Sequence, residues 1–350
     1  TRSSRDLDAE NGTADSITIQ LNADGKPESS DDYTHWYYSA NSKRTDLYQG
    51  AFTLQPSSES GAESALQTDL DIRKDAEFNG GTVGGGTANR GIISGGTFQG
   101  KVENHGAISD GAFQGTVENY QTISGGTFQE RVGNWAGGTI SGGTFQGDVD
   151  NNSGGTISGG TFQGTVQNDQ TISGGIFQEF VSNYQTISGG TFLGAVDNYD
   201  DGTISGGYFV TMPEGSDTGF AAVSDQADRP FHVPVNGDFS ENSYTSLFVP
   251  RGSSEQPNTI TVKTNTKLLY YLADGERFPV LDSDSDSYIY QIPVRGYEKI
   301  VLVTEEPSAP PTDDPGELDP AFSSGAAALG IVLGTAGLGY ITYAHISSLY

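Results

Sequence analysis

An all-β fold is predicted for this chain: a parallel β-solenoid with 15/17-residue rungs, flanked by β caps and followed by a C-terminal hydrophobic α-helix. Three observations carry it. A unit of the form ISGGTFxGxVxN recurs between about residues 78 and 210 of the 350. Glycine is abundant, at 49 residues, yet 17 Phe and 17 Tyr are too many aromatics for a disordered chain. Residues 321–350 contain no Asp, Glu, Lys or Arg.

The repeat sets the solenoid (78–210). Ile93, Ile108, Ile123, Ile140, Ile157, Ile172, Ile187 and Ile204 are separated by 15, 15, 17, 17, 15, 15 and 17 residues. Five residues after each comes a phenylalanine: Phe98, Phe113, Phe128, Phe145, Phe162, Phe177, Phe192 and Phe209. Val102, Val117, Val132, Val149, Val166, Val181 and Val196 form a third column, and Phe78, Val83, Thr87 and Asn89 are a degenerate earlier copy. The residues just before these valines (Lys101, Thr116, Arg131, Asp148, Thr165, Phe180, Ala195) share nothing. A constant position beside a variable one is the signature of a strand with one face buried. Fifteen residues are too few for a strand, a helix and two turns, so each unit is a rung of about nine, stacked at ~4.8 Å into a rod of roughly 40 Å. The Ser-Gly-Gly between the Ile and Phe positions suits a sharp corner. All three two-residue expansions, at 135–139, 152–156 and 199–203, precede the next Ile, as insertions into one surface loop should. Asn89, Asn104, Asn119, Asn134, Asn151, Asn168, Asn183 and Asn198 hold one equivalent position and form an Asn ladder, whose amides bond along the column as rung stacking rewards.

A solenoid needs its ends covered, because an open rung exposes unpaired N–H and C=O groups. Residues 1–77, with strand-like runs at 17–21, 36–38 and 47–54, form an N-terminal β cap. Residues 211–304 form a small C-terminal β domain, with runs at 246–250, 259–263, 268–272, 287–294 and 299–304. An acidic, Pro-rich linker spans 305–320. The hydrophobic helix of 321–350 then acts as membrane anchor or assembly core: the run 326–343 is long enough for a bilayer, and Tyr340, Tyr343 and Tyr350 suit an interfacial belt. Ala326, Gly330 and Gly334 supply a helix-packing face. No basic residue follows that run, so packing against copies of itself is the alternative to lipid. The chain begins at Thr1 without an initiator Met, which fits removal of a targeting segment.

The ISGGTFxGxVxN repeats, the linker around Ala309-Pro310-Pro311-Thr312-Asp313-Asp314-Pro315 and the Gly/Ala-rich tail together resemble exported short-repeat β-solenoid surface proteins of Gram-positive gut bacteria. The resemblance covers about half of the chain and implies secretion and display on a cell surface. It departs from sortase substrates, since no LPxTG precedes the apolar run.

Charge and chemistry narrow the function. Seventeen Lys+Arg against 45 Asp+Glu leave −28 at pH 7, the wrong sign for nucleic acid or for a basic membrane-surface patch. The absence of Cys excludes disulfides, thiol catalysis, Cys-ligated zinc and iron–sulfur clusters. Among enzymes of this shape a groove of Asp, Arg or Lys is wanted, and Asp148, Asp150 and Arg131 are the nearest approach, read here as solvated decoration. His35, His105, His232 and His345 are scattered, suggesting no triad and no metal. The run from Asp282 through Asp284 to Asp286 imitates a calcium loop, but Ser287 and Pro293 stand where Gly and Glu are required. No cofactor is expected and no catalysis. The expected function is that of a non-catalytic extracellular structural protein, a stalk or filament subunit on a bacterial cell surface. Its expected partners are copies of itself through the C-terminal helix, membrane lipid, and host or bacterial glycans. A glycan-binding adhesin using Tyr120, Trp135, Tyr184 and Tyr199 by ring stacking is the alternative, and a carbohydrate-active enzyme a further one.

Overall fold

In the computed structural model, which describes residues 16–28, 34–59, 61–199, 201–215, 219–234, 238–239, 243–252, 258–280 and 287–306, the repeats over 122–198 each fold into three short strands, whereas in the two before them the Ile and Phe segments run as one strand, Ile92–Phe98 and Ala107–Phe113. Thr122–Ile123, Thr127–Phe128 and Val132–Asn134 make one such rung. Each strand pairs in parallel with its equivalent a rung away: Ile123 lies opposite Ile140, Phe128 opposite Phe145, Val132 opposite Val149, and Asn134 opposite Asn151. The coil therefore has three faces, where the repeat by itself is compatible with two or three. The column Phe78, Ile93, Ile108, Ile123, Ile140, Ile157, Ile172, Ile187, Ile204 has nine members, which make eight turns.

Alternation places the anchors inside. The Phe column from Phe98 to Phe209 is at most 1 % exposed, and successive rings stack nearly parallel with centroids 4.6–5.0 Å apart. That spacing is the inter-strand distance itself, so the ladder imposes the stacking. Both ends of the stack are closed by an edge-on ring, Phe78 against Phe98 at 61° and Phe220 against Phe209 at 83°.

The corner between the Ile and Phe faces depends on glycine. At Gly159 a Cβ would sit 2.3 Å from the Ser141 carbonyl of the preceding rung; at Gly160 φ is +103° and a Cβ would press on the Phe145 ring at 3.2 Å. Gly61, at φ +82°, has nothing within 4 Å of that position. We expect Gly160→Ala to cost about 1–3 kcal/mol and Gly61→Ala clearly less, because only the first adds a steric clash to an unfavourable φ. Denaturant midpoints of the two variants would show it, and equal losses would mean that the corner is not tightly packed. The three expansions share one solution as well. In each, the fourth residue turns back, Gly138 N–H donating to Trp135 O, Gly155 to Asn152 O and Gly202 to Tyr199 O at 2.6–2.8 Å.

The region expected as an N-terminal cap is, in its described part, more ladder. Ser16–Gln20 pairs in parallel with the end of Arg44–Gln55, which pairs in parallel with Asp69–Gly80, and that strand continues onto 87–89 and 92–93. Ile17 and Phe52 continue the Ile column beyond Phe78, and Leu47 and Ile72 extend the Asn column in apolar form. One core runs unbroken from Ile19 to Phe209. Trp36–Ser39, an antiparallel partner of 44–47, departs from the coil, as does the antiparallel bridge of Leu21 to Pro27. Those rungs carry no ISGGTF motif because their loops are longer and their strands bulged between Leu47 and Gln49 and between Phe52 and Thr53.

After Phe209 the pairing is largely antiparallel, as where Phe209 faces Phe248, although Phe220–Asp225 runs parallel to Lys299–Thr304, and a second core forms around Val223, Leu247, Ile260, Tyr271, Ile292 and Leu302. One layer holds Phe220–Asp225, Ser246–Pro250, Lys299–Thr304, Leu268–Ala273 and Glu276–Pro279; the other is the four-stranded sheet of Ser243–Tyr244, Phe231–His232, Thr259–Thr264 and Ile289–Pro293. Leu193 and Tyr208, where most other copies of the repeat carry Gln and Thr, pack on this second core. The Tyr208 hydroxyl also donates to Thr261 O and accepts from Thr261 N–H, while Asn258 Nδ2 donates to Ser205 O. The described residues contain no helix, and none therefore long and apolar enough to cross a membrane. The linker from 307 onward and the helix expected over 321–350, with Ala326, Gly330 and Gly334, lie outside the described residues.

Candidate functional site

Each rung offers three outward rows, and the side chains with chemistry are concentrated on the Val-x-Asn face. Inward on that face lies the asparagine column. Each Nδ2 donates to the Oδ1 of the next, from Asn89 through to Asn198, over seven bonds of 2.6–2.8 Å. A second donation goes to main-chain carbonyls, as from Asn151 to Thr171 O at 3.2 Å. Asn89 to Asn183 are fully buried and Asn198 is 6 % exposed. An amide needs both its donors and its acceptor satisfied when buried, and the stacking does this. These side chains hold the corner and present nothing to a ligand.

Outward on the same face, Arg131 reaches Asp150 with both Nε and Nη2. Asp148 accepts from the Thr165 N–H at 2.9 Å and from its hydroxyl at 2.8 Å. The two carboxylates are thus each tied to a neighbouring rung. Nearby, Lys101 contacts Glu118 at 2.9 Å and Glu103 at 3.1 Å, and those bonds, Glu118's first, raise its ammonium above the usual lysine range.

A denser charged cluster, which sequence reading missed, lies toward the N-terminal end. Asp46 and Asp71 are buried, 3 % and 5 % exposed, one rung apart. Arg73 bridges them at 2.7 and 3.0 Å, Arg90 holds Asp71 at 2.7 Å and Arg44 holds Asp46 at 3.1 Å. Burial works against the Arg73 charge, but its bond to Asp46 and the charges of Asp71 and Asp46 outweigh this, and its basicity rises. Beside it a cavity of about 320 Å³ is lined by Arg44, Asp69, Asp71, Arg90, Lys101 and Glu103. The cluster was invisible in the sequence because Asp46 and Arg73 are 27 residues apart and meet only through strand pairing.

The residue after each Asn forms an outward column along one edge: Arg90, His105, Tyr120, Trp135, Asn152, Asp169, Tyr184 and Tyr199. The expected adhesin residues do share one edge. Their rings, however, stack mainly on each other: His105 on Tyr120 at 4.7 Å and Tyr184 on Tyr199 at 4.4 Å, each within 7° of parallel. Desolvation first, and then the neighbouring Tyr199, raises the Tyr184 phenol above its ordinary range. Trp135 lies differently. Its indole Nε1 occupies the space above Gly133, where a Cβ would be only 2.8 Å away, and the side chain remains 38 % exposed. Sugar stacking needs a free ring face, and in the two ring pairs the facing sides are taken.

His35, His105 and His232 fall in three separate parts of the structure, and His345 lies outside the described residues, as does the acidic turn of 282–286. Among the described residues no three of His, Cys, Asp or Glu gather as a metal site. A second cavity of about 300 Å³, lined by Ser188, Ser205, Tyr208, Pro250, Asn258 and Ile260, marks the seam between the last rungs and the C-terminal β domain. No protein-family model matches the chain, and no curated protein or solved structure matches it either.

Proposed function

We propose that this chain is a non-catalytic, extracellular structural protein of a bacterial surface, a rigid stalk or filament subunit. Self-association or anchoring resides in the hydrophobic segment of 321–350. The observation that supports this reading is the unbroken core from Ile19 to Phe209, within which the Phe98–Phe209 stack is closed at each end by an edge-on ring. Such a body resists bending because successive repeats are hydrogen-bonded on all three faces, as Thr122–Ile123, Thr127–Phe128 and Val132–Asn134 are to the next rung. The polar contacts of Asp148, Asp150 and Arg131 are those of rung-to-rung ties, in keeping with a scaffold role.

The test is the full chain purified without detergent. Sedimentation and electron microscopy should find assemblies, or recruitment to added lipid vesicles, and Gly330→Leu with Gly334→Leu should reduce either by at least tenfold. Dispersed monomers indifferent to lipid would overturn the reading, as would turnover of a polysaccharide abolished by Asp148→Ala.

A further inference from the structure

The Thr-Phe-Gln face differs from the Val-x-Asn face of this acidic chain, whose outward rows carry charges. Its outward glutamines, Gln99, Gln114, Gln129, Gln146, Gln163 and Gln178, occupy six successive rungs and all are exposed. Two residues before the first five, and on the same face, stand the half-buried Thr97, Ala112, Thr127, Thr144 and Thr161, while before Gln178 the position is taken by the buried Ile176. None of these six glutamine side chains bonds to any other group of the described protein, and neither row holds a charge.

Core packing does not account for this constancy. Outward positions on the Val-x-Asn face have diverged to Lys101, Thr116, Arg131, Asp148, Thr165 and Phe180 over the same rungs. The repeats have thus drifted where nothing holds a solvated position. Gln gives way first at Leu193, which the C-terminal β domain covers. An exposed amide with two free donors and a free acceptor, kept on every rung, fits an external partner.

We infer that this face docks an extended, uncharged polysaccharide chain lying along the rod. Four arguments select that occupant. The grid repeats at ~4.8 Å along the rod and ~6.6 Å across it, and the axial step is close to the length of one hexose in an extended chain. The amides and hydroxyls are neutral donors and acceptors, suited to sugar hydroxyls, whereas Glu130 and Glu179 border the glutamine row and would repel an acidic polymer. A peptide would need an open strand edge, and these strands are paired on both sides. Six rungs by three residues offer only about 300 Å², below the ~800 Å² per partner of a stable protein pair, so a second copy is disfavoured.

This inference does not depend on association through 321–350. Affinity electrophoresis of the full chain should show retardation by soluble mixed-linkage β-glucan or galactomannan and none by polygalacturonate. Replacing Gln114, Gln129, Gln146 and Gln163 together by Ala should weaken that retardation at least tenfold with circular dichroism unchanged, while Trp135→Ala leaves it intact. If the fourfold variant does not fold, Gln129→Ser with Gln146→Ser should still weaken it severalfold. Retardation by neither neutral polymer, retardation lost with Trp135→Ala, or a glutamine variant that instead loses sedimenting assemblies would each overturn the proposal.

Discussion

Phe145→Ala is expected to lower the unfolding free energy by about 3–5 kcal/mol. The ring is fully buried midway along the stack, with neighbours Phe128 at 4.7 Å and Phe162 at 4.8 Å. Truncation removes apolar contact on both sides and leaves a void that cannot collapse, because the ladder holds adjacent backbones at a set distance. Phe145→Leu keeps most of the volume and should cost clearly less. Denaturant unfolding followed by circular dichroism reads both. A loss below about 1 kcal/mol for Phe145→Ala would mean that the stack is not the source of rung cohesion, since a buried Phe→Ala change ordinarily exceeds that.

Asn151→Ala should cost about 2–5 kcal/mol for a different reason. Asn134 Nδ2 loses its acceptor, Asn168 Oδ1 loses its donor, and both stay buried, at about 1–3 kcal/mol for each unsatisfied group. Asn198→Ala, at the end of the ladder and partly reached by water, breaks only one such link and should cost less. Asn151→Asp adds a pH signature. A buried carboxyl without a cationic partner has its folded pKa raised, so stability is retained below the ordinary aspartate value of about 3.9 and lost as pH rises through the folded value. The protonated acid donates through its O–H and accepts through its carbonyl, which restores the ladder. Relative to the parent, this variant should therefore recover on acidification while Asn151→Ala does not. The absence of that recovery would place the asparagines in solvent contact.

How much could be read beforehand differs between parts of the chain. The Ile, Phe, Val and Asn columns were legible as a shared 15- or 17-residue spacing because a stacked rung repeats its chemistry once per turn, and the strand pairs match them residue for residue. The strand-like runs at 17–21, 47–54 and 259–263 correspond to Ser16–Gln20, Arg44–Gln55 and Thr259–Thr264. Their partners were not legible. Leu47 and Ile72 continue the asparagine column although neither resembles Asn, since a column requires only that adjacent side chains fill the same interior space. The aromatic edge shows the same limit, because the positions of Tyr184 and Tyr199 follow from the repeat while the mutual stacking of their rings does not.

The amino-acid sequence alone determined that this is a stacked all-β coil, which residues turn inward and where its loops lengthen, because periodicity encodes which face of a strand meets the core. Tertiary structure alone decided that the coil has three faces, that it runs on through residues expected to cap it, and that Asp46, Asp71 and Arg73 meet. Those outcomes depend on which distant strands pair, and pairing is fixed by geometry closing around the whole turn, a property no single stretch of chain carries.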